Sequence, residues 1–423
     1  MILLTRRLVG LFLSFLTGLF VSMTGGSTVF ASQEPALLTL HQAEQMAVAR
    51  APLIARSQAL SLALEQQATA VSALPDPKLK LGVVNLSTDS YEFGDEPMTQ
   101  AVIAVQQAFP PRDLRKSRRE QMQAMARTEN AQAQLLNLQT LRAVRNAWAD
   151  TYLHFHSEQL LKSSRQVFEQ LVQITTFKYG VGRGNQHDVI RAQLELQLID
   201  DRHLNTLTSL QISLAELSKW VGGAAAAEDL NLNLNDFPTQ LSMDKIEQLL
   251  GNHPSLQFYE SQKVVGEYGK AAAQAGYSPT WMLDLSYGYR EQERSDFMSA
   301  MVSIDLPIFT HNRQDAQVAA SQQRIYAAQN AMEEQQQVLQ RTLTAKYAAY
   351  GVLTKRLDLY KNEVLPKAKQ NAEATLNAYQ SGVSEFEVLL RARLKELDSR
   401  LDALRLQVER ANVISELLYL EGR

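Results

Sequence analysis

Residues 281–309 read WMLDLSYGYREQERSDFMSAMVSIDLPIF, and the spacing of their apolar side chains decides the fold. Trp281, Leu283, Leu285, Tyr287 and Tyr289 alternate with Met282, Asp284, Ser286, Gly288 and Arg290. After a polar tip from Glu291 to Asp296, Met298, Ala300, Val302, Ile304 and Leu306 alternate with Ser299, Met301, Ser303 and Asp305. Period two on both arms specifies a β-hairpin with one apolar face. A weaker version stands earlier: Leu79, Leu81 and Val83 against Lys78, Lys80 and Gly82, then Ala101, Ile103 and Val105 against Gln100, Val102 and Gln106. Arms of about 9 or 10 residues match a tilted bilayer-crossing strand. Trp281, Tyr287, Tyr289, Phe109 and Phe309 near the strand ends suit an interfacial girdle. Four strands cannot close a barrel, which takes about eight. An open edge in lipid leaves backbone groups unpaired at several kcal/mol each. Strands of this kind therefore enter a membrane only as an oligomer that pools them. The alternative is a pair of water-exposed hairpins packed on a helix.

The hairpins interrupt a helical chain that is written twice. Residues 179–222 align without a gap on 379–422, with Tyr179/Tyr379, Gly182/Gly382, Arg191/Arg391, Ala192/Ala392, Leu194/Leu394, Leu204/Leu404, Glu216/Glu416 and Leu217/Leu417 identical. Upstream, Pro52 answers Pro254 and Pro77 answers Pro279 in a looser register. A duplication of this length indicates one structural unit used twice. Each half predicts a helix (40–72 and 242–275), a hairpin (78–109 and 281–307), a very long helix (113–178 and 313–380), a glycine-containing break and a return helix (188–220 and 386–420). The first repeat spans 32–222 and the second 241–423, joined by a Gly-, Ala- and Asn-rich linker over 223–240. Leu339, Leu343, Tyr347, Tyr350, Leu353, Leu357, Tyr360 and Val364 step by three or four residues, as do Leu390, Leu394, Leu397, Leu401, Leu404, Val408 and Ala411. That is a coiled-coil seam. A helix of about 65 residues is roughly 100 Å long. Rods alone are equally compatible with a soluble periplasmic coiled-coil scaffold or adaptor.

The remaining sequence bounds the function. Arg6 and Arg7 precede an apolar run from Leu8 to about Val21, and Val29-Phe30-Ala31 offers a cleavage site, so residues 1–31 read as a signal peptide, against the alternative of an uncleaved N-terminal anchor. No later stretch is long and apolar enough for a membrane-spanning helix. Cysteine is absent, which excludes disulfides and an N-terminal lipid-bearing Cys. A net charge of -3 gives no general attraction for nucleic acid. His154 and His156 are two apart and fall on different helix faces, while His187, His203, His253 and His311 are scattered, so no metal-ligand spacing exists. No catalytic constellation and no cofactor motif is present, and the chain reads as not an enzyme.

The full set of features resembles the TolC family of outer-membrane efflux ducts. The resemblance rests on the duplication, the strand–helix junctions Gln107-Ala108-Phe109-Pro110 and Asp305-Leu306-Pro307-Ile308-Phe309, and the turns Tyr179-x-x-Gly182 and Tyr379-x-x-Gly382, which lead into Val189-Ile190-Arg191-Ala192 and Leu389-Leu390-Arg391-Ala392. Leu74-Pro75-Asp76-Pro77-Lys78-Leu79, with Asn85-Leu86 following, is similar to the heavy-metal (Czc- and Cus-type) branch. The resemblance implies a mainly α fold with a small β part. A homotrimer would pool twelve strands into an outer-membrane barrel over a tapered α-barrel of long coiled-coil helices. It also implies a Gram-negative-type outer membrane with a large periplasmic portion. The implied partners are a periplasmic adaptor and an inner-membrane pump of the resistance–nodulation–division class, with metal ions or small toxic molecules as cargo. A type I protein-secretion duct is the alternative within the class.

Control in such a duct lies where the long helices turn back. Gly182 and Gly382 suit left-handed turn positions, and with Tyr179 and Tyr379 they form the expected adaptor-docking tips. In relatives, acidic residues ring the aperture. Here the matching positions hold Val388 and Arg391, with Glu385 and Glu387 just before. In the first half Asp188 matches, and Arg191 replaces the second acid. The expectation is a charge network of Glu385, Glu387, Arg191 and Arg391, against the alternative of ordinary solvated helix-end charges. Pro366 lies inside the second long helix, where its first-half counterpart is Gln166, and predicts a kink, against the equal alternative that it simply starts a fresh helix segment.

Overall fold

The computed structural model describes residues 37–223, 230–291 and 293–423. The signal-peptide reading of residues 1–31 and part of the predicted linker lie outside the described residues. Helices α1 (Leu40–Arg50) and α2 (Pro52–Ser72) replace the single predicted helix over 40–72. Ala51 is extended, and Pro52 starts α2 at its first position, where a missing N–H costs nothing. The same break recurs in the second half, between α5 (Met243–Leu250) and α6 (Pro254–Ala275). His253 caps α6, and its ring accepts from the Ser255 N–H.

Strands β1 (Lys78–Val84), β2 (Gln100–Phe109), β3 (Trp281–Tyr289) and β4 (Phe297–Ile304) form one antiparallel sheet in the order β1-β2-β3-β4. The two hairpins, far apart in the chain, thus pair through β2 and β3, with Ala101 opposite Tyr289 and Phe109 opposite Trp281. Partners across an antiparallel ladder share a face, so the four apolar rows align. Leu79 stands beside Val105, then Leu285, then Ala300; Leu81 stands beside Ile103, Tyr287 and Met298. Most of the large apolar side chains of this face are exposed, on all four strands. The opposite face carries Lys78, Lys80, Gln106, Asp284, Ser286, Ser299 and Ser303. β1 and β4 have no strand partner on their outer edges among the described residues.

Helix α3 (Arg112–Gly180) is continuous over 69 residues. It packs on α2 and α6 over one part of its length and on α4 (Gln186–Val221) and α9 (Phe386–Glu421) over the other. Its counterpart is built from α7 (Ala316–Leu359) and α8 (Leu365–Gln380). A π turn, Tyr360–Val364, joins these two, and another, His311–Asp315, precedes α7. The predicted seams are buried at Leu339, Leu343, Leu353, Leu390, Leu397, Val408 and Ala411.

Three apolar clusters hold the helices together. The first gathers α1, α3, α4 and α9 around Trp148, whose indole N–H donates to the Asn233 carbonyl at 3.0 Å. Leu230, Leu232 and Phe237 belong to it, and Leu38 bridges Leu230. The described part of the segment read as a linker is therefore core; composition alone could not reveal that its few apolar residues are buried. A second cluster joins α5 and α6 to α3, α7 and α9 around Leu343 and Leu417. The third lies toward the turned-back ends, where Leu161, Phe168, Leu389 and Leu390 meet Tyr379 and Phe386.

Candidate functional site

Both long helical arms end in the same hydrogen-bonded cap. Gly182 N–H donates to Tyr179 O at 3.0 Å and Arg183 N–H to Lys178 O at 2.8 Å; Gly382 N–H donates to Tyr379 O at 3.2 Å and Val383 N–H to Ala378 O at 2.9 Å. This pair of bonds needs a left-handed residue one position past the helix cap. Gly182 and Gly382 supply it with φ of 74° and 81°. The repeated glycine is thus explained by backbone geometry.

The two turns differ in their tyrosines. Tyr179 is 48% exposed, whereas Tyr379 is 5% exposed, stacked obliquely against Phe386 at 5.7 Å. Tyr379 is therefore part of the tip's core while Tyr179 stays accessible, a correction to the expectation that both form a docking surface. Lys178 holds Tyr379 from the other arm: its ammonium sits 3.8 Å from the ring centroid and donates to the Tyr379 carbonyl. Burial pushes the Tyr379 phenol above its ordinary value, and the Asp188 charge adds to this. Spacing did not single out Lys178. The available signal was its asymmetry, because the repeat-equivalent residue is Ala378.

Among the predicted charges, Glu387 is the shared member. Its Oε1 lies 2.7 Å from Arg391 Nη2 one turn along α9, and its Oε2 lies 3.5 Å from Arg191 Nη1 on α4. The structure thus brings together Arg191, Glu387 and Arg391. Glu385 stands outside: it is the N-cap residue of α9, exposed, with no ion pair among the described residues. Asp188 lies in the first turn of α4, where a negative charge suits the helix dipole. Pro366 is the second residue of α8, directly after the π turn. The backbone on both sides of that turn stays helical, at φ -63° and ψ -46° for Tyr360 and φ -63° and ψ -47° for Leu365. The missing proline N–H is thus met by a change of hydrogen-bond register, while α3 carries no such interruption.

No group of three or more His, Cys, Asp or Glu among the described residues is placed to hold a metal ion. A cleft of about 680 Å³ lies between α2, α3, α6 and α7 and is lined by Leu64, Met125, Val265 and Ala328, with Glu129 and Arg324 at its side. It joins no nucleophile to a base. No described helix is long and apolar enough to cross a membrane.

The comparisons with known proteins agree with this architecture. None of the curated protein sequences matches the chain significantly. Among solved structures, the outer membrane protein VceC from Vibrio cholerae superposes with a TM-score of 0.76 at 16% identity, covering 90% of this chain and 96% of that one. CusC superposes with a TM-score of 0.75 at 15% identity, covering 91% and 93%. The open state of the Neisseria gonorrhoeae MtrE outer membrane channel superposes with a TM-score of 0.73 at 18% identity, covering 90% and 88%. CusC fits no better than the others, so the heavy-metal branch is not distinguished. The outer membrane efflux protein family model matches residues 245–421. That match covers most of the second repeat, and the described chain has the fold of the TolC-like outer-membrane channels on which it superposes.

Proposed function

We propose that this chain is one protomer of a homotrimeric exit duct, anchored in the outer membrane by its strands and reaching into the periplasm with its helices. In this reading it passively conducts small toxic molecules or metal ions delivered by an adaptor and an inner-membrane pump of the resistance–nodulation–division class. Residues 1–31 would be its export signal. The observation that carries the reading is the sheet: one face apolar and exposed on all four strands, and both edges open. Water does not tolerate the face and lipid does not tolerate the edges. Three copies pooling twelve strands satisfy both constraints. α4 supports the same assembly, because Ile190, Leu194, Leu198, Leu204 and Ile212 leave large apolar side chains exposed along it. A second copy would cover that face.

The helix tips are the natural place for control and for docking. Tyr179 and the turns at Gly182 and Gly382 offer the adaptor its surface. The Arg191–Glu387–Arg391 network, with Asp188 and Glu385 beside it, biases the aperture toward closure, and the change of register before Pro366 bends the lower wall inward. No step of chemistry is required of the protein, since the pump supplies the energy. Fractionation tests the reading directly. The mature protein should pellet with outer membranes and run as a detergent-stable trimer that conducts ions in planar bilayers. A detergent-independent monomer in the soluble periplasm would instead identify a coiled-coil scaffold.

A further inference from the structure

The polar face of the sheet carries four charged side chains at one end: Lys78 and Lys80 on β1, Asp284 on β3, and Asp305 one residue past β4. Asp305 still belongs to the ladder, because its N–H donates to the Thr280 carbonyl at 2.8 Å. Lys80 reaches over Ala104 to Asp284, with Nζ 2.6 Å from Oδ2. Lys78 and Asp305 are exposed and form no ion pair among the described residues. They also lie on the two open edges of the sheet, where a neighbouring copy must be joined.

The join is constrained by parity. A slip of one residue would turn every side chain of β1 to the wrong face. Only registers that set Leu79, Leu81 and Val83 in the row of Ile304, Val302 and Ala300 keep the apolar face continuous. Within that set the registers differ in steps of two residues, and those nearest the end of β1 set Asp305 opposite Asp76, Lys78 or Lys80 of the neighbouring copy.

Strand tilt narrows the choice further. Lys78 pairs with Gln106, Gln106 with Asp284, and Asp284 with Met301. With Asp305 opposite Lys78, Met301 meets Gly82 of the next copy. The ladder then advances about four residues per four strands, a tilt of roughly 35°. With Asp305 opposite Lys80 the tilt is roughly 46°, and the next register in the other direction gives roughly 19°, too flat for a barrel. Charge separates the two that remain, because Lys80 is already neutralised by Asp284 and Lys78 is not. Resting on the trimeric reading above, we propose that the seam between copies sets Lys78 opposite Asp305 of the neighbouring copy. An ion pair on the lumenal side then fixes the register in which the barrel closes.

The chain contains no cysteine, so introduced thiols report without background. Within one chain the two positions stand on opposite edges of the sheet and cannot meet. The double variant Lys78→Cys/Asp305→Cys, oxidised in the membrane or bridged with dibromobimane, should give a covalent ladder up to trimer. Lys80→Cys/Asp305→Cys should react at least five times more slowly. Lys78→Asp and Asp305→Lys should each lower the temperature at which the detergent-stable trimer dissociates, and the double exchange should restore it. A trimer that cross-links faster through Lys80→Cys, or through neither pair, overturns this register and leaves the duct intact. A protein that stays monomeric in every variant and in the wild type overturns the duct reading, and this inference with it.

Discussion

At Glu387 one carboxylate serves two guanidinium groups, and only one of the contacts joins separate helices. The Arg391 contact is within α9, four residues along, whereas the Arg191 contact spans from α9 to α4. Exposed pairs are worth about 0–1 kcal/mol each, so the network can bias the tip but not lock it. Glu387→Ala and Arg191→Ala should therefore raise single-channel conductance or opening frequency to a similar extent, and Arg391→Ala should do so less. Unchanged conductance in all three would remove the network from the mechanism. Away from the tip, His253 makes a pH-dependent contribution to stability. It is buried, its Nδ1 accepts from the Ser255 N–H, and its Nε2 lies 3.0 Å from the Tyr419 carbonyl. Burial holds its pKa below the ordinary value, with the Tyr419 carbonyl pulling the other way. The unfolded chain then binds the proton more readily, so stability is full above about pH 6.5 and falls as the pH drops through the lowered folded value. Unfolding followed between pH 7.5 and 5 should show this loss, and His253→Asn, which keeps a capping acceptor but does not titrate, should flatten it. Glycines that must be left-handed were readable because they recur in both halves. The burial of Tyr379 beneath Lys178 was not, because the two come from different repeats and no local pattern links them.

Among the elements, the turns and the long helices respond to glycine in opposite ways. Gly382 has φ of 81°, a conformation that costs other residues roughly 1–2 kcal/mol. A Cβ there would meet nothing within 4 Å, so the cost is purely conformational. Gly351, inside α7, also has open space around a Cβ but helical backbone. Gly382→Ala should destabilise the detergent-solubilised protein by about 1–2 kcal/mol, while Gly351→Ala should stabilise it by roughly 0.5–1 kcal/mol. Urea unfolding of the two variants against wild type measures both signs. The existence and length of the helices were legible from apolar spacing, because each seam is continuous. Their interruptions were only partly legible. Pro52 and Pro254 end one helix and begin the next, and the π turn before Pro366 changes hydrogen-bond register without changing composition. Segment 230–238 misled for the complementary reason: Asn- and Pro-rich sequence resembles a tether even where Leu230, Leu232 and Phe237 fill the core.

On the scale of the whole molecule, the exposed faces are the informative ones. The apolar rows of β1 to β4 were each readable from period two, but their joining into one surface was not, since that depends on β2 pairing with β3 from the other half of the duplication. Nor could periodicity say that α4 keeps an apolar stripe uncovered while α9, built from the matching half of the duplication, buries most of its seam. The two halves share a sequence pattern but occupy different positions in the wall, and tertiary neighbours decide which stripe stays open. A last prediction follows from the sheet's two faces. Leu285 and Ser286 are adjacent in β3, so they point to opposite sides. If the apolar side meets lipid and the polar side meets a water-filled lumen, a membrane-impermeant maleimide should label Ser286→Cys in intact outer membranes and spare Leu285→Cys. Both thiols should react once the protein is unfolded in detergent. A soluble hairpin would expose both positions to the reagent from the start, so equal labelling in membranes would return the chain to the scaffold reading. The reverse preference would turn the sheet inside out, with Lys78, Lys80 and Asp284 in hydrocarbon. The cost of burying such charges in lipid excludes that arrangement.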